Sequence, residues 1–240
     1  MKPVIIIPAR YESSRFPGKP LVMIKGKTLL QHVWGQSVKA LSPPQVYIAT
    51  DDERIAAHCR EKKMQFVMTP SSCATGTDRL YEAAKQLPAD LYINVQGDEP
   101  LVRPDDILKV LRTAEKMPDR VVNAMCPIQT EEDFRSPSVP KVVATPEGRL
   151  LYMSRAAIPT DKKFSFRAAM KQVCIYAFSK SLLERFGRVK GKSPLEAIED
   201  IEILRFLETG VEVQMVQVSS SSIAVDFPGD IVRVEKALHA

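Results

Sequence analysis

The sequence predicts an α/β fold: a Rossmann-like, mostly parallel β-sheet covered by helices on both faces. Short apolar runs alternate with amphipathic stretches through the first half of the chain, as repeated βαβ units require. The first run, Val4–Pro8, is apolar throughout, which is typical of a central parallel strand. With 240 residues, of which 45% are hydrophobic and 26% charged, we expect one α/β domain over residues 1–240.

Strands and helices are predicted in alternation up to residue 116. The strands after the first are predicted at Gln45–Thr50, Gln65–Met68 and Asp90–Gln96. The helices are predicted at Lys27–Ala40, Asp52–Lys62, Thr77–Gln86 and Pro104–Lys116. Capping-box spacing marks three helix starts, at Thr50/Glu53, Thr75/Asp78 and Ser193/Glu196.

Beyond residue 120 the pattern is less regular. The segments "VVNAMCPI", "KVVATPEGRLLYMS" and "QVCIYAFS" predict further strands, some of them antiparallel, and Pro159–Met170 is predicted as a surface loop or flap. Pro194 at the start and Gly210 past the end bound a predicted helix, Pro194–Thr209. The alternating segment "VEVQMVQV" predicts a strand, "SIAVD" is interpreted as a strand that ends at Asp226, and "PGDIVRVEKAL" predicts a closing helix.

The composition excludes several classes of function. The net charge is +5, but basic and acidic residues are interleaved and no aromatic–basic RNA signature occurs, so nucleic-acid binding is not expected. No apolar run approaches the roughly 20 residues of a membrane span, and no signal peptide is recognisable, so we expect a cytoplasmic protein without membrane contact. The cysteines are isolated and expected to be free thiols: Cys59, Cys73, Cys126 and Cys174.

A basic loop, Pro8–Pro20, directly follows the first strand and carries Arg10, Arg15 and Lys19. Ligands of open α/β sheets bind outside the carboxyl ends of the strands, where such a loop offers N–H groups and positive charge to phosphate. Neither GxxxxGK[ST] nor GxGxxG occurs. The loop is therefore interpreted as an anion-binding loop, with a solvated turn carrying ordinary surface cations as the alternative.

Two carboxylates follow predicted strands: Asp98 in "NVQGDEP" and Asp226 in "SIAVDFPGD". Together they could hold Mg²⁺, which accepts carboxylate, water and phosphate oxygens; the alternatives are a turn residue and a helix cap. Arg79, near a helix start, either faces phosphate or makes an ordinary helix-surface ion pair. Gln96 either reads a base or sugar hydroxyl through its amide or is simply a polar strand end.

These residues lie in segments that resemble one enzyme family. The segment "IIIPARYESSRFPGKPL" resembles the signature loop of the sugar nucleotidyltransferases, and especially of the cytidylyltransferases that activate 3-deoxy-manno-octulosonate (Kdo). Further similar segments follow in order along nearly the whole chain: "ATDDERI", "ATGTDRL", "YINVQGDEPL", "KVV", "LYMSRAAIP", "IYAF", "LEAIEDIEILRFLETG" and "AVDFPGDI".

The resemblance implies a nucleotide-diphospho-sugar transferase-like fold with a smaller mixed α/β lobe for the acceptor and for dimerisation. The nucleotide-binding part is expected at about residues 1–125 plus 219–240, and the acceptor and dimerisation lobe at about 126–218. The resemblance further implies a homodimer that transfers CMP from CTP to a 2-keto-3-deoxy sugar acid. With Kdo as the first choice of acceptor, the products are CMP-Kdo and pyrophosphate, for lipopolysaccharide or capsule synthesis.

The same resemblance assigns roles to individual residues. Catalysis is assigned to Arg10, Lys19 and Asp98, and a Mg²⁺ cofactor to Asp98 and Asp226. Nucleotide binding is assigned to Ala9, Arg10, Ser13, Arg15, Lys19, Thr75, Arg79 and Gln96. Acceptor binding is assigned to Gln96, Arg155, Gln172, Tyr176, Glu202 and Ile203, with core or dimer-interface packing as the alternative for Tyr176.

The acceptor segments depart from the usual pattern of the Kdo enzymes at two positions: Gln172 stands where His is usual, and Ile203 where Gln is usual. Phe227 and Gly229 also replace the usual Thr and Glu beside Asp226. The acceptor therefore stays open between Kdo, 8-amino-Kdo and a nine-carbon sugar acid. A noncatalytic nucleotide-sensing protein is a second alternative, whereas the missing glycine fingerprint disfavours a nicotinamide-dependent dehydrogenase.

Overall fold

A mixed β-sheet of nine strands organises the chain, and the computed structural model describes residues 1–13, 16–219 and 223–238. A separate two-stranded hairpin consists of β2 (Met23–Ile24) and β3 (Lys27–Thr28). The strands of the main sheet are β1 (Pro3–Pro8), β4 (Val46–Thr50), β5 (Phe66–Met68), β6 (Leu91–Val95), β7 (Val121–Pro127), β8 (Lys141–Ala144), β9 (Leu150–Ser154), β10 (Met170–Ser179) and β11 (Val213–Gln217). The helices are α1 (Leu29–Ala40), α2 (Glu53–Glu61), α3 (Gly76–Ala84), α4 (Pro104–Lys116), α5 (Glu131–Arg135), α6 (Lys180–Arg188), α7 (Pro194–Glu199), α8 (Leu204–Glu208) and α9 (Asp230–Ala237).

The order of the main sheet is β11-β7-β10-β6-β1-β4-β5, with β8 beside β10 and β9 beside β8. β1 pairs in parallel with both β4 and β6, and β4 pairs in parallel with β5. β10 runs antiparallel between β6 and β7. The predicted mostly parallel sheet, with antiparallel strands in the second half of the chain, is therefore confirmed. The carboxyl ends of β1, β4 and β6 lie at the same end of the sheet.

Alternating side chains of β1 pack into two cores, one on each face of the sheet. Ile5 and Ile7 pack with residues of α1 and α4 on one face, whereas Val4 and Ile6 pack with residues of α3, α6 and α8 on the other. All four side chains are buried, and burying a side chain of this size contributes about 1.5–3 kcal/mol. This two-sided burial is the reason why consecutive residues of β1 are apolar.

The prediction of one helix over Pro194–Thr209 is wrong, because the segment forms two short helices, α7 and α8, separated at Asp200. Asp200 has left-handed backbone, with φ 51° and ψ 49°, and this conformation ends α7. The break lets Arg205 fold back so that its Nε lies 2.6 Å from Glu196. In an unbroken helix these two residues would be about 13 Å apart along the axis. The apolar periodicity does not reveal this break, because it carries no information about buried polar contacts.

Two further predictions of local structure are wrong. The N-cap of α2 is Asp52, whose carboxylate accepts from the Arg54 N–H at 2.9 Å, while Thr50 Oγ1 accepts from the Asp52 N–H at 3.2 Å. Residues 223–226 are not a strand; they are held near β6 by the Val225 N–H, which donates to the Asp98 carbonyl at 2.9 Å. The other two predicted capping boxes, which start α3 and α7, are present.

Several other predictions are confirmed. The segment from Pro159 is a loop that continues until β10 begins at Met170, and β11 and α9 form where the C-terminal pattern predicts them. All four cysteines are free. Among the described residues, no helix is both long and apolar enough to cross a membrane.

Candidate active site

Two adjoining cavities open at the carboxyl ends of β1 and β6. The first cavity, of about 230 Å³, is lined by the loop after β1, the start of α3 and the turn after β6. The second cavity, of about 280 Å³, is lined by β10 and by residues around Arg155. Both cavities share Gln96, Asp98, Asp200, Glu202 and Asp226. The two cavities therefore form one cleft, and the boundary between them is acidic.

Two glycines beside the first cavity lie close to a neighbouring group, which is backbone in one case and a side chain in the other. A Cβ at Gly97 would lie 2.8 Å from the Pro8 carbonyl oxygen. A Cβ at Gly76, in the first turn of α3, would lie 2.8 Å from Gln96 Nε2. A side chain at position 97 would push the end of β1 out of place, because backbone approach this close requires glycine, whereas one at position 76 would displace only the amide end of the Gln96 side chain.

The basic loop lies along the first cavity, which Ala9, Arg10, Ser13 and Lys19 line. Ala9 is buried, and its N–H donates to the Ala49 carbonyl at 2.9 Å, which extends the contact between β1 and β4. Arg10 is exposed. The chain then turns at Gly18, whose φ of 71° starts a short 3₁₀ turn at Lys19. Arg15, which the resemblance assigns to nucleotide binding, lies outside the described residues.

Lys19 connects the basic loop to both predicted metal ligands. Its Nζ lies 2.9 Å from Asp98 Oδ2 and 3.8 Å from Asp226 Oδ1, and it donates to the Val225 carbonyl at 2.9 Å. The backbone N–H of Asp226 donates to Asp230 Oδ2 at 2.9 Å, which fixes the turn before α9. The structure thus brings Asp98 and Asp226 together on one ammonium group, although Asp226 does not end a strand.

The oxygen atoms of Asp98 and Asp226 are donors of the type that Mg²⁺ prefers. Within the described parts of the chain, no group of three or more His, Cys, Asp or Glu residues is arranged to hold a metal ion. Mg²⁺ is commonly bound by one or two carboxylates together with substrate phosphates, and not by a cage of protein ligands. Two carboxylates that line the first cavity therefore fit a cation that is shared with a bound ligand.

Arg79 forms a buried ion pair. It does not form the ordinary helix-surface ion pair that was the alternative interpretation of the sequence. It is 3% exposed. Its Nη2 lies 3.1 Å from Asp51 Oδ2, and its Nη1 donates to Thr69 Oγ1 at 2.7 Å. It also lines the first cavity, together with Thr75, the N-cap of α3. Its positive charge is thus held close to any group that occupies this cavity.

Glu202 lies at the boundary of the two cavities and caps the first turn of α3. Its carboxylate accepts hydrogen bonds from the Gly76 N–H at 3.0 Å and the Thr77 N–H at 2.8 Å, and a short one from the Thr77 hydroxyl. Burial raises the pKa of Glu202 above its ordinary value, although these hydrogen bonds act in the opposite direction. The position of Glu202 depends on the break at Asp200, which turns this part of the chain toward the cleft.

Arg155, which the resemblance assigns to the acceptor, lines the second cavity but is engaged by backbone carbonyls. It donates to the carbonyl of Pro137 at 2.8 Å and of Asp200 at 2.9 Å, and makes a short hydrogen bond to Glu199 O. Its Nη2 also lies 3.6 Å from Asp200 Oδ2. Three of its five N–H groups are therefore used inside the described structure, and the two that bind the Glu199 and Asp200 carbonyls hold the left-handed turn in place.

Gln172 lines the second cavity with the orientation of its amide fixed. Asn123 Nδ2 donates to the Val173 and Ile175 carbonyls, at 3.0 Å each, so Asn123 Oδ1 requires a donor. Gln172 Nε2 is that donor, at 3.0 Å. Gln172 Oε1 is then the atom that this side chain offers as an acceptor. Tyr176, beside it on β10, lines the same cavity but is buried in the core as well, and burial raises its pKa well above the ordinary value.

The prediction that Ile203 binds the acceptor is wrong. Its side chain is fully buried in the core on the α3 face and lines neither cavity, because the break at Asp200 turns it inward. Conversely, Lys192 and Asp200 line the cleft but were not predicted from the sequence. Lys192 precedes α7 and Asp200 ends it, so that only the tertiary placement of this short helix brings both residues to the cleft.

Comparisons with known proteins show which proteins are similar to this chain in sequence and in fold. A sequence profile of the cytidylyltransferase family matches residues 4–215. The 3-deoxy-manno-octulosonate cytidylyltransferase of Geotalea daltonii is 40% identical over 250 residues, which cover 99% of this chain and 98% of the relative. The protein of the same name from Myxococcus xanthus is 37% identical over 239 residues, which cover 99% of this chain and 96% of the relative.

The fold has a close counterpart among solved structures. A CMP:2-keto-3-deoxy-manno-octonic acid synthetase complexed with CTP aligns with a TM-score of 0.89 at 35% identity, covering 100% of this chain and 99% of that chain. The nucleotide-diphospho-sugar transferase-like fold that the sequence implies is therefore confirmed.

Proposed function

Because the chain belongs to the cytidylyltransferase family, we propose that it transfers CMP from CTP to a 2-keto-3-deoxy sugar acid, with Kdo as the first choice of acceptor. The products are CMP-Kdo, for lipopolysaccharide or capsule synthesis, and pyrophosphate. The observation that most directly supports the proposal is the position of Lys19. Its ammonium group contacts the carboxylates of Asp98 and Asp226 at the boundary of the two cavities. Transfer between two substrates needs a cavity for each of them and a charged boundary where the reacting groups come together.

The nucleotide occupies the first cavity in this proposal. Arg10, Lys19 and Arg79 supply positive charge to the triphosphate, in keeping with their position around this cavity. Ser13 and Thr75 line the same space, and Gln96 lies where it can bond to the base or the ribose. The nucleotide-binding part would then comprise about residues 1–125 plus 219–240, with the acceptor lobe at about 126–218.

The sugar acid occupies the second cavity. Gln172 offers an acceptor oxygen there, and Tyr176 forms part of the wall. Arg155 retains N–H groups beyond the three that bind backbone carbonyls, and its charge suits the carboxylate of the acceptor. Gln96 and Glu202 line both cavities, so that they can contact either substrate.

The reaction is an in-line displacement at phosphorus. Asp98 and Asp226 would hold Mg²⁺, which would supply charge neutralisation for the triphosphate and polarisation of the α-phosphorus. The anomeric hydroxyl oxygen of the acceptor forms a bond to this phosphorus and loses its proton to water, while the bond to pyrophosphate breaks. Arg10 and Lys19 stabilise the charge that accumulates on pyrophosphate. Positioning and electrostatics suffice, so no covalent intermediate with the protein is needed.

Pyrophosphate release tests the proposed function. We expect release with CTP, Mg²⁺ and Kdo, and none when the acceptor or the metal is omitted. Faster release with 8-amino-Kdo or a nine-carbon sugar acid would assign that compound as the acceptor instead. Tight CTP binding without release for any acceptor would contradict the enzyme and favour a nucleotide-sensing protein.

We also propose that the chain forms a homodimer. The expected observation is a mass of twice 26.8 kDa by light scattering during gel filtration. A monomer mass at micromolar protein concentration would contradict this part of the proposal.

A further inference from the structure

Among the described residues, Lys192 lines the first cavity with three other cations but comes from a different part of the chain. Arg10 and Lys19 belong to the basic loop and Arg79 to α3, whereas Lys192 lies between α6 and α7. Its backbone is anchored by the next residue, Ser193, which closes the capping box of α7. The Lys192 side chain is 31% exposed. It therefore forms an accessible part of the cavity wall on a fixed backbone.

The cations of the first cavity differ in the number of protein groups that they already contact. Arg79 and Lys19 are each held by two or more protein groups. Lys192 Nζ has one partner among the described residues, Asp200 Oδ1, at 2.5 Å. An ammonium group has three N–H donors. Lys192 is thus the lysine of this cavity with the larger remaining capacity for a ligand.

Asp200 is a weak competitor for Lys192. Its side chain is 60% exposed, so water screens the attraction between the two charges. Asp200 also lies 3.6 Å from Arg155 Nη2, which shares its negative charge. A triphosphate carries several anionic oxygens that can accept charge-assisted hydrogen bonds at once. A ligand of this kind should therefore displace Asp200 from the ammonium group.

We propose that Lys192 binds the triphosphate of the nucleotide and exchanges Asp200 for phosphate oxygens when CTP enters. This inference rests on the proposed function, since it requires CTP in the first cavity. It adds a nucleotide contact from the segment that also carries Asp200 and Glu202. Binding of the nucleotide is thereby linked to the boundary with the acceptor cavity.

Equilibrium binding of CTP with Mg²⁺, and separately of cytidine, tests the proposal without relying on turnover. Lys192→Ala should weaken CTP binding by about tenfold, the loss expected for one charge-assisted contact, and leave cytidine binding unchanged. Lys192→Arg should retain most of the affinity for CTP. Lys190→Ala is the matched control, because Lys190 is exposed on the same segment and lines neither cavity.

A further variant tests the exchange itself. Asp200→Asn removes the competing charge but keeps a residue type that tolerates left-handed backbone, and it should tighten CTP binding. Unchanged CTP affinity in Lys192→Ala, or an equal loss in Lys190→Ala, overturns the assignment, as does equal weakening of CTP and cytidine. If the unmodified protein does not bind CTP, the proposed function fails instead, so the two failures are distinguishable.

Discussion

At the residue scale, Asp98 and Asp226 show how distant segments form one charged centre. Asp98 follows β6 and Asp226 precedes α9, yet both carboxylates face the Lys19 ammonium. Two carboxylates near each other raise the energy of their ionised forms unless a positive charge lies between them. Lys19 supplies this charge within the protein, and a bound cation would supplement it.

Replacing either aspartate by asparagine should lower turnover by about a hundredfold or more, because a charge that is proposed to hold Mg²⁺ is lost. Folding should be retained, since the two side chains are 29% and 33% exposed. Rates at saturating CTP and Mg²⁺ measure the first effect, and thermal unfolding measures the second. Asp119→Asn, at an exposed position in the turn before β7, is the control. Wild-type rates in Asp98→Asn or Asp226→Asn would remove that residue from the metal site.

The raised pKa of Glu202 also has a consequence for stability. Its ordinary value is 4.5, so above pH 4.5 the unfolded chain loses a proton that the folded protein still retains. The contribution of Glu202 to stability is therefore fully present below pH 4.5 and is lost as the pH rises through the folded pKa.

The free energy of unfolding of the native protein, relative to Glu202→Gln, should accordingly fall as the pH rises above 4.5. Glu208→Gln is a control of opposite sign. Burial opposes the shift, but hydrogen bonds from the Leu195 and Glu196 N–H groups and the Ser193 hydroxyl lower the pKa of Glu208. Urea unfolding at a series of pH values measures both differences. If the difference in free energy of unfolding between the native protein and Glu202→Gln does not change with pH, the raised pKa of Glu202 is contradicted.

At the element scale, a buried charge cluster joins four helices. Arg205 of α8 is fully buried and forms a bidentate pair with Glu196 of α7, at 2.6 and 2.7 Å. It also donates to Asp78 of α3 at 2.8 Å, and its guanidinium carbon lies 3.8 Å from the ring centre of Phe186 in α6. These contacts stabilise the two short helices α7 and α8, which form where one continuous helix was predicted.

Arg205→Met should destabilise the protein by about 3–5 kcal/mol, because it leaves the buried Glu196 carboxylate without its counter-ion. The double variant Arg205→Met/Glu196→Gln should be less destabilised, since glutamine keeps a capping acceptor but carries no charge. Chemical denaturation gives the free energies of unfolding. Arg188→Met, at an exposed position at the end of α6, should change stability by less than about 0.5 kcal/mol. A double variant less stable than Arg205→Met would contradict the role of the unpaired charge.

At the scale of the whole molecule, the four cysteines lie in different environments. Cys59 and Cys126 are buried in the core on the α1 face, where burial raises the pKa of the two thiols to about 12 and about 11 respectively. Cys126 also lines the second cavity. Cys73 lines the first cavity and Cys174 the second. Burial also raises the pKa of both of these thiols, and more strongly for Cys174.

Thiol alkylation of the folded protein should therefore modify Cys73 first and leave Cys59, which lines neither cavity, unmodified until the chain unfolds, because the thiolate is the reactive form. CTP should slow the reaction of Cys73, since this residue lines the proposed nucleotide cavity. Peptide mass spectrometry over a time course measures each site. Modification of Cys59 as fast as Cys73 in the folded state would contradict the described core.

The parallel half of the sheet could be predicted because burial determines the pattern of apolar residues locally. The predicted strands agree with β1, β4, β5 and β6 to within one residue at each end. The basic loop could be located for a related reason, since its position after the first strand places it at the ligand-binding end of the sheet.

The remainder of the site depends on contacts between segments that are distant in sequence. The left-handed turn at Asp200 depends on Arg205 meeting Glu196 and Asp78, and this turn places Ile203 in the core. Lys192 enters the first cavity only because α7 is packed beside it. No local periodicity or motif contains this information, so an uninterrupted helix and an acceptor-binding Ile203 were predicted instead.

The contacts of Lys19 also determine when the cleft can form during synthesis on the ribosome. The basic loop and β6 emerge early, and the parallel core around them can begin to assemble. The hydrogen bonds from Lys19 to the Val225 carbonyl and from the Val225 N–H to the Asp98 carbonyl must wait for a segment that is translated much later. A nascent chain that already carries the sheet thus lacks one wall of the cleft, and its capacity to hold both substrates arises only after residue 226 has left the exit tunnel.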